Sequence, residues 1–269
     1  MSKLCLLLTA CVNPDGMIFT ELQNPEIRKR QYIKALQFYL KETDFPIVFV
    51  ENSGTDFSLL FKNYIDSGRL EFLCFNGNNY DRSRGKGYGE ANIIEYALQN
   101  SSIIAECNYV AKITGRLIIH NIQDLIPVFF IPCKRLLFCD LSRGNEPFIR
   151  SMIFCADKAV LHDLCIAVKF SVNDSKGIYF EHILYKIFVT KNVKSFPFAK
   201  IPIIEGDSAS RGYRYKDLYE DILFKDILYI YHEMIKEKSH FLSIASFVVC
   251  KSLSLFGKIK IMLNRSIAK

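Results

Sequence analysis

The feature that most constrains this chain is the alternation of strand-like and helix-like segments over its first 119 residues. Short apolar runs alternate with longer stretches whose apolar residues recur at helical spacing. The apolar runs cover residues 3–12, 46–50, 70–75 and 109–119, and the helical stretches cover residues 25–40, 56–66 and 89–100. This succession is typical of a parallel sheet with right-handed crossovers. We therefore predict an α/β fold with a Rossmann-type, mostly parallel sheet flanked by helices.

Polar residues follow each of the four predicted strands at the point where that strand ends. They lie at Thr9 to Asn13, Glu51 to Ser53, Asn76 to Lys86 and Thr114 to Arg116. Open parallel sheets bind ligands at the carboxyl ends of their strands. The sequence therefore predicts a binding site along this edge of the sheet.

A basic, glycine-rich loop opens the helical stretch after the third strand. The cations are Arg82, Arg84 and Lys86 in the loop and Lys112 and Arg116 in the next strand, and the glycines are Gly85, Gly87, Gly89 and Gly115. Glycines let backbone N–H groups approach an anion, and a helix N-terminus adds partial positive charge. The pattern favours a phosphate or diphosphate ligand, most simply that of a nucleotide. The alternative is a surface loop whose cations are only solvated.

The net charge of +7 is concentrated at the C-terminus of the 269-residue chain. Residues 238–269 contain six Lys or Arg and no Asp or Glu, so the other 237 residues carry a formal charge of only about +1. Over residues 240–269, aliphatic residues recur at helical spacing on one face and basic residues on the opposite face. This pattern favours an amphipathic helix on an anionic membrane surface. A terminal helix docked on the domain is the alternative. The nearly neutral body argues against nucleic-acid binding. We predict a domain over residues 1–215 and a basic, amphipathic helical segment over residues 216–269.

The nine cysteines form no C-x-x-C pair, and the five histidines lack metal-ligand spacing. Most of the cysteines lie in apolar runs, which is typical of buried thiols in a reducing compartment. A lipoprotein signal ending at Cys11 is the less favoured interpretation of the N-terminus, because its apolar core is short. These observations predict a cytoplasmic protein without a zinc site.

Four motifs and their order along the chain resemble the nucleotide-sugar glycosyltransferases of the GT-A fold. In detail they resemble the small bacterial enzymes of O-antigen, lipopolysaccharide and capsule assembly. The motifs are Thr9 to Pro14, Val50 to Gly54, Arg84 to Asn92 and Ala111 to Arg116. Segments 177–181 and 204–212 are also similar, and the resemblance covers about residues 3–215. The loop and the Lys-Ile-Thr-Gly-Arg strand are its distinctive parts.

The resemblance implies two groups of donor-binding residues. In that fold the ends of the first and second strands hold the nucleoside, which points to Thr9, Ala10, Asn13, Glu51, Asn52 and Ser53. The loop and the fourth strand would contact the diphosphate through Arg84, Lys86, Gly87, Lys112, Thr114, Gly115 and Arg116. A UDP-sugar is the favoured donor.

One departure from the family concerns the metal. Most members of the fold carry an Asp-x-Asp at the end of the fourth strand, where this chain has Lys112 to Arg116. Either Asp140 supplies an acid for Mn²⁺ or Mg²⁺, or the enzyme uses no metal. In the second case Lys86, Lys112 and Arg116 would stabilise the charge of the departing diphosphate.

The resemblance also implies a base and an acceptor. An inverting transfer needs a carboxylate to take the acceptor's proton, and Glu181 is the candidate. His182, Glu205 and Asp207 are the candidate acceptor-binding residues, and a retaining mechanism without such a base stays open. The predicted acceptor is a lipid-linked oligosaccharide on the inner face of the cytoplasmic membrane. Two rival hypotheses are a nucleotidyltransferase and a non-catalytic protein that binds nucleotide sugars.

Overall fold

The computed structural model describes residues 3–126, 135–142, 147–198, 202–208 and 215. The predicted helical segment 216–269, including the basic stretch 240–269, lies outside the described residues. No helix within the described ranges is both long and apolar enough to cross a bilayer.

Eleven strands and seven α-helices are described. The strands are β1 (Leu4–Ala10), β2 (Ile47–Glu51), β3 (Leu70–Cys74), β4 (Tyr109–Thr114), β5 (Ile118–Ile119), β6 (Leu136–Cys139), β7 (Leu141–Ser142), β8 (Phe148–Ile149), β9 (Ile153–Asp157), β10 (Lys194–Pro197) and β11 (Ile204–Glu205). The helices are α1 (Pro25–Glu42), α2 (Lys62–Asp66), α3 (Lys86–Asn100), α4 (Ser102–Glu106), α5 (Ile122–Leu125), α6 (Lys158–Ser171) and α7 (Phe180–Thr190).

Seven of these strands form one sheet, in the order β10-β6-β9-β4-β1-β2-β3. Strands β4, β1, β2 and β3 are parallel neighbours, and β10 is parallel to β6. Strand β9 is antiparallel to both of its neighbours, β4 and β6. The predicted fold class, a mostly parallel α/β sheet flanked by helices, is confirmed.

The continuous apolar sequence of β1 reflects its central position in the sheet. Residues Cys5 to Leu8 have no exposed surface, because helices cover both faces of the sheet there. Phe49 of β2 stacks on Phe72 of β3 with ring centroids 4.9 Å apart. Tyr39 of α1 donates a hydrogen bond to the Leu117 carbonyl and accepts one from the Ile119 amide, both at 2.9 Å. The core is therefore continuous from α1 across the central strands.

Side chains at the helix starts explain where α1 and α6 begin. The Ile27 amide donates to Asn24 Oδ1 at 3.0 Å, and Pro25 occupies the first turn of α1, where a missing N–H is tolerated. The Val160 amide donates to Asp157 Oδ1 at 2.9 Å at the start of α6. Helix α6 packs between α3 and α7.

The predicted strand 109–119 is interrupted near Gly115. The Gly115 amide donates to the Thr9 carbonyl at 2.9 Å, and a Cβ on Gly115 would lie only 2.8 Å from that oxygen. A turn follows, in which the Leu117 amide donates to the Thr114 carbonyl at 2.9 Å. After the turn, β5 leaves the main sheet and pairs with β11. The break places Arg116 beside the carboxyl end of β1.

Candidate active site

The candidate site lies where β1 and β4 end and where the antiparallel β9 begins. The Thr114 amide donates to the Met152 carbonyl at 2.9 Å, so the residues just before β9 reach the same edge of the sheet. The N-termini of α3 and α7 carry the charged side chains of this edge.

Lys112 is the most deeply buried cation of the site, with no exposed side-chain surface. It forms an ion pair with Glu90 of α3, and Thr9 Oγ1 donates to the same Glu90 oxygen at 3.0 Å. Lys112 Nζ also donates to the Ser151 carbonyl at 2.6 Å and lies 3.4 Å from Thr114 Oγ1. The charge of Lys112 is therefore compensated inside the protein, as a buried cation requires.

Glu181 lies at the start of α7 and is tied to this network. Ser151 Oγ donates to Glu181 Oε1 at 2.5 Å, while the Ser151 carbonyl accepts from Lys112. Next to it, the ring of His182 contacts Tyr179 and Phe148, with centroids 5.5 Å and 6.2 Å away. The structure thus joins Glu181, the predicted base, to Lys112 through Ser151, a residue that the sequence did not indicate.

The N-terminus of α3 is occupied by a side chain of the protein itself. Asp174 is only 3% exposed, and its Oδ2 accepts the Lys86 amide at 3.1 Å. The Gly87 amide donates to the same carboxylate. Gly85, at φ 76°, is required here because a Cβ would collide with the Asp174 carboxylate. The carboxylate of Asp174 thus occupies the position at the N-terminus of α3 at which the sequence predicts a phosphate.

The surroundings of Asp174 favour its neutral form. Burial, together with the nearby Glu181 carboxylate, raises the pKa of Asp174 to about 6, although the Lys86 ammonium and the Lys86 and Gly87 amides oppose the shift. Carboxylates that share a low-dielectric site interact in this way.

The Lys86 amine interacts with four charged side chains of the site. Burial lowers the pKa of its amine; the carboxylates of Glu181, Asp174 and Glu90 oppose this shift, and Arg116 adds to it. Lys86 is nevertheless exposed to solvent. The Lys86 amine is therefore close to several charged groups of the protein and is still open to solvent.

Two buried arginines lie on the other side of the β1 end. Arg116 donates to the Asp207 carbonyl, and burial, reinforced by the nearby Arg28, lowers its pKa. Arg28 of α1 donates to the Cys11 carbonyl at 2.9 Å and to the Tyr32 hydroxyl at 3.2 Å. Among the described residues, neither guanidinium forms an ion pair with a carboxylate. Two guanidinium groups are therefore buried at this end of β1, with the Asp207 carboxylate near Arg116.

Sequence reasoning did not identify Arg28, although a signal was present. Arg28 lies four residues before Tyr32 on the face of α1 that Leu36 and Tyr39 bury. A cation on the buried stripe of an amphipathic helix needs a polar partner inside the protein, and here the partners are carbonyl and hydroxyl oxygens.

Arg84 does not face these cations. Its guanidinium donates to the Lys169 and Val172 carbonyls at the end of α6 and stacks 4.2 Å from the Tyr88 ring centroid. A cation at this position also complements the helix dipole of α6. The donor-binding role of Arg84 stays a prediction, but its contacts are those of a link between α3 and α6. Gly87 lies where α3 approaches α7. A Cβ added to Gly87 would lie 3.0 Å from the Cβ of Phe180.

The predicted nucleoside residues come together at the ends of β1 and β2. The Asn13 amide donates to Ser53 Oγ at 2.9 Å, and the Asn52 amide donates to the Ala10 carbonyl at 3.1 Å. Glu51 is fully buried and accepts hydrogen bonds from the Val12, Ser53 and Thr55 amides at 2.8–2.9 Å. Its carboxylate is thus occupied in holding the two loops together.

The predicted acceptor residues Glu205 and Asp207 lie on the α1 side of the site. Glu205 pairs with Lys34 at 2.6 Å and with His120 at 2.8 Å, and these hydrogen bonds lower its pKa. Asp207 Oδ2 accepts from Gln31 Nε2 at 3.0 Å, and its carbonyl accepts from Arg116. The structure joins Asp207 to Arg116, whereas Glu205 belongs to a separate ion-pair group.

The residues at the end of β4 do not fit a divalent cation. Glu90, the nearest carboxylate to Lys112, is already paired with it. Asp140, the predicted alternative, is buried and forms an ion pair with Arg150 at 3.0 Å. Within the described ranges, no cluster of three or more His, Cys, Asp or Glu side chains is arranged to hold a metal ion.

No protein-family model and no curated protein matches the chain. Among solved structures, a glycosyltransferase involved in the glycosylation of the major capsid of PBCV-1 is 9% identical, with a TM-score of 0.43 over 72% of this chain and 81% of that one. The inositol-1-phosphate CTP transferase from T. maritima is 11% identical, with a TM-score of 0.44 over 74% and 86%. A cytidylyltransferase from Leptospira borgpetersenii is 14% identical, with a TM-score of 0.42 over 94% and 96%. The structural neighbours are thus glycosyltransferases and nucleotidyltransferases, at identities too low to transfer a function.

Proposed function

We propose that this protein is a glycosyltransferase that binds a nucleotide-diphosphate sugar at the carboxyl edge of its sheet. The observation that carries the proposal is the convergence of Lys86, Arg116 and Arg28 around the end of β1, with the carboxylate of Glu181 close to Lys86. Cations and a carboxylate at one edge provide both requirements of the reaction, a site for the leaving diphosphate and a proton acceptor.

The three predicted phosphate-binding cations take different parts in this proposal. Lys86 is open to solvent, and Arg116 forms no ion pair with a carboxylate within the described ranges, although Asp207 is near; both are therefore assigned to the diphosphate. Lys112 is fully buried and paired with Glu90, so it organises the site through Thr9 and Ser151. Fixed cations of this kind stabilise charge that develops on a leaving group.

Glu181 is the proposed general base. Ser151 donates to one of its oxygens and orients the carboxylate, and the proton of the acceptor hydroxyl would pass to Glu181 as the hydroxyl attacks the anomeric carbon. The bond from that carbon to the diphosphate breaks, and the released charge remains near Lys86 and Arg116. Because the end of β4 is cationic, the proposed mechanism uses no metal.

The finer assignments rest on the resemblance of the sequence to bacterial glycosyltransferases. They are a UDP-sugar donor, a hexosyl group and a lipid-linked oligosaccharide acceptor in O-antigen, lipopolysaccharide or capsule synthesis. The proposed location is the inner face of the cytoplasmic membrane, reached through residues 240–269.

A nucleotidyltransferase is the second candidate, and one observation favours it. Such enzymes hold a triphosphate on the loop after the first strand, which in this chain lacks cations of its own. The structure brings two cations to that loop from elsewhere: Arg82 pairs with Asp15 at 2.6 Å, and Arg28 donates to the Cys11 carbonyl.

Product analysis, run in excess EDTA and again with added Mg²⁺ or Mn²⁺, tests both candidates. A glycosyltransferase releases a nucleoside diphosphate from a nucleotide sugar, whereas a nucleotidyltransferase releases pyrophosphate from a nucleoside triphosphate and a sugar phosphate. A thermal-shift screen with UDP-, GDP-, dTDP- and CMP-sugars identifies the donor, because binding to the native state raises the melting temperature. Binding without turnover would support a non-catalytic role, and activity only with manganese would contradict the metal-free mechanism.

A further inference from the structure

Helix α6, helix α7 and their connection expose an unusual amount of apolar side chain. Ile166 is 55% exposed and Phe170 is 90% exposed, one turn apart on the outer side of α6. Ile178 and Tyr179 follow in the connection, and Val189 is exposed on α7. We name these five residues the α6–α7 face. Large exposed apolar groups on neighbouring elements indicate an interaction surface.

The exposed charged residues along α6, α7 and their connection all carry positive charge. Between residues 158 and 194, the charged residues that are exposed are all lysines: Lys176, Lys186, Lys191 and Lys194. Of the three acids in this stretch, Asp174 is buried and Asp163 and Glu181 are half-buried. Asp163 pairs with Arg135 at 2.7 Å, Asp174 is buried under α3, and Glu181 accepts from Ser151.

We propose that the α6–α7 face docks on an anionic lipid bilayer. Exposed aliphatic and aromatic side chains enter the boundary between headgroups and acyl chains, while lysines around them contact anionic headgroups. A second copy of the chain fits this face less well, because a two-fold interface would place the lysines of both copies against each other.

A second exposed apolar pair shows that apolar exposure alone does not define such a surface. Leu59 is 85% exposed and Leu60 is 64% exposed. The exposed charges near them are Asp56 and the ion pair between Lys62 and Asp66, at 2.8 Å. An anionic membrane would not attract this region, so it provides a matched control.

The α6–α7 face lies next to the proposed general base, Glu181. Tyr179 directly precedes α7, and its ring contacts His182, the residue after Glu181. A bilayer against this face would hold a lipid-linked acceptor beside Glu181. The delivery of an acceptor rests on the proposed function, whereas the docking itself does not.

Sedimentation of the full chain with vesicles tests the docking. Vesicles of phosphatidylglycerol with phosphatidylcholine are compared with vesicles of phosphatidylcholine alone. The double variant Ile166→Glu/Phe170→Glu should lose about ten-fold or more of its partitioning into the anionic vesicles. The control Leu59→Glu/Leu60→Glu should partition like the wild type. A Lys176→Gln/Lys186→Gln variant should weaken binding to the anionic vesicles only.

Three outcomes overturn the docking proposal. They are a wild type that does not bind anionic vesicles, an Ile166→Glu/Phe170→Glu variant that binds like the wild type, and a control that loses as much binding as this variant. The same variants are tested for a thermal shift with nucleotide sugars. Retained donor binding with lost vesicle binding supports the docking face, and absent donor binding in every form contradicts the proposed function alone.

Discussion

The carboxylate that caps α3 makes a specific prediction about stability and pH. Burial raises the pKa of Asp174 from 3.8 to about 6 in the folded protein. The folded state then binds this proton more tightly than the unfolded state does. The contribution of Asp174 to stability is therefore fully present below pH 4, and it is lost as the pH rises through 6. Because the side chain is only 3% exposed, solvent screens this effect little.

The magnitude follows from the size of the shift. One pKa unit corresponds to about 1.4 kcal/mol, so the full effect is about 3 kcal/mol. Between pH 8 and pH 5, the linkage relation gives a change of about 1.4 kcal/mol for this single group. The variant Asp174→Asn keeps an acceptor for the Lys86 amide but cannot ionise. The difference in unfolding free energy between variant and wild type should therefore shift by about 1.4 kcal/mol over this pH range, in favour of the variant at pH 8.

Urea unfolding of both proteins at several pH values between 5 and 8 measures this difference. Comparison across pH removes the pH-independent effect of the amide itself. Asp157→Asn, the same change at the cap of α6, shows whether losing a capping carboxylate alone gives such a dependence. A difference between Asp174→Asn and wild type that stays constant with pH, or changes with the opposite sign, would refute the reasoning.

The remaining predictions concern the site and the C-terminal segment. Glu181→Gln should lower the transfer rate by about 100-fold or more while leaving donor affinity nearly unchanged, as measured by steady-state kinetics and thermal shift; equal activity would remove Glu181 from the mechanism. Lys86→Ala should weaken donor binding by about ten-fold, whereas Lys176→Ala, on the exposed connection, should not; equal effects would contradict the role of Lys86. Removal of residues 240–269 should weaken sedimentation with anionic vesicles at unchanged donor affinity; unchanged sedimentation would argue against a membrane role for this segment.

The order of strands and helices followed from the sequence because it depends on local patterns. Continuous apolar runs marked β1 and β2, and Asn24 with Pro25 marked the start of α1. The antiparallel entry of β9 between β4 and β6 could not be predicted, since strand order depends on contacts between residues that are distant in the chain.

The same distinction explains the candidate site. Lys86, Lys112 and Arg116 could be predicted as site residues because cations and glycines are concentrated within a short stretch. Asp174 escaped notice because it lies 88 residues from the Lys86 amide that it accepts, and nothing in its own neighbourhood indicates this contact. The cations of an anion site can thus be predicted from a short stretch of sequence. Whether a carboxylate of the protein itself occupies that site depends on the tertiary structure.

The reversed direction of β9 has a consequence for how such a protein could diversify. A parallel strand contributes to the ligand edge only where it leaves the sheet, whereas β9 contributes where it enters, through Ser151 and Met152. A change in the residues just before β9 would therefore reach β4 through Lys112 and Thr114, but it would not touch the pairing of β1 with β2. Under the proposed function, variation in this connection would act on the acceptor through Ser151 and Glu181, while the nucleoside residues at the ends of β1 and β2 would stay constant.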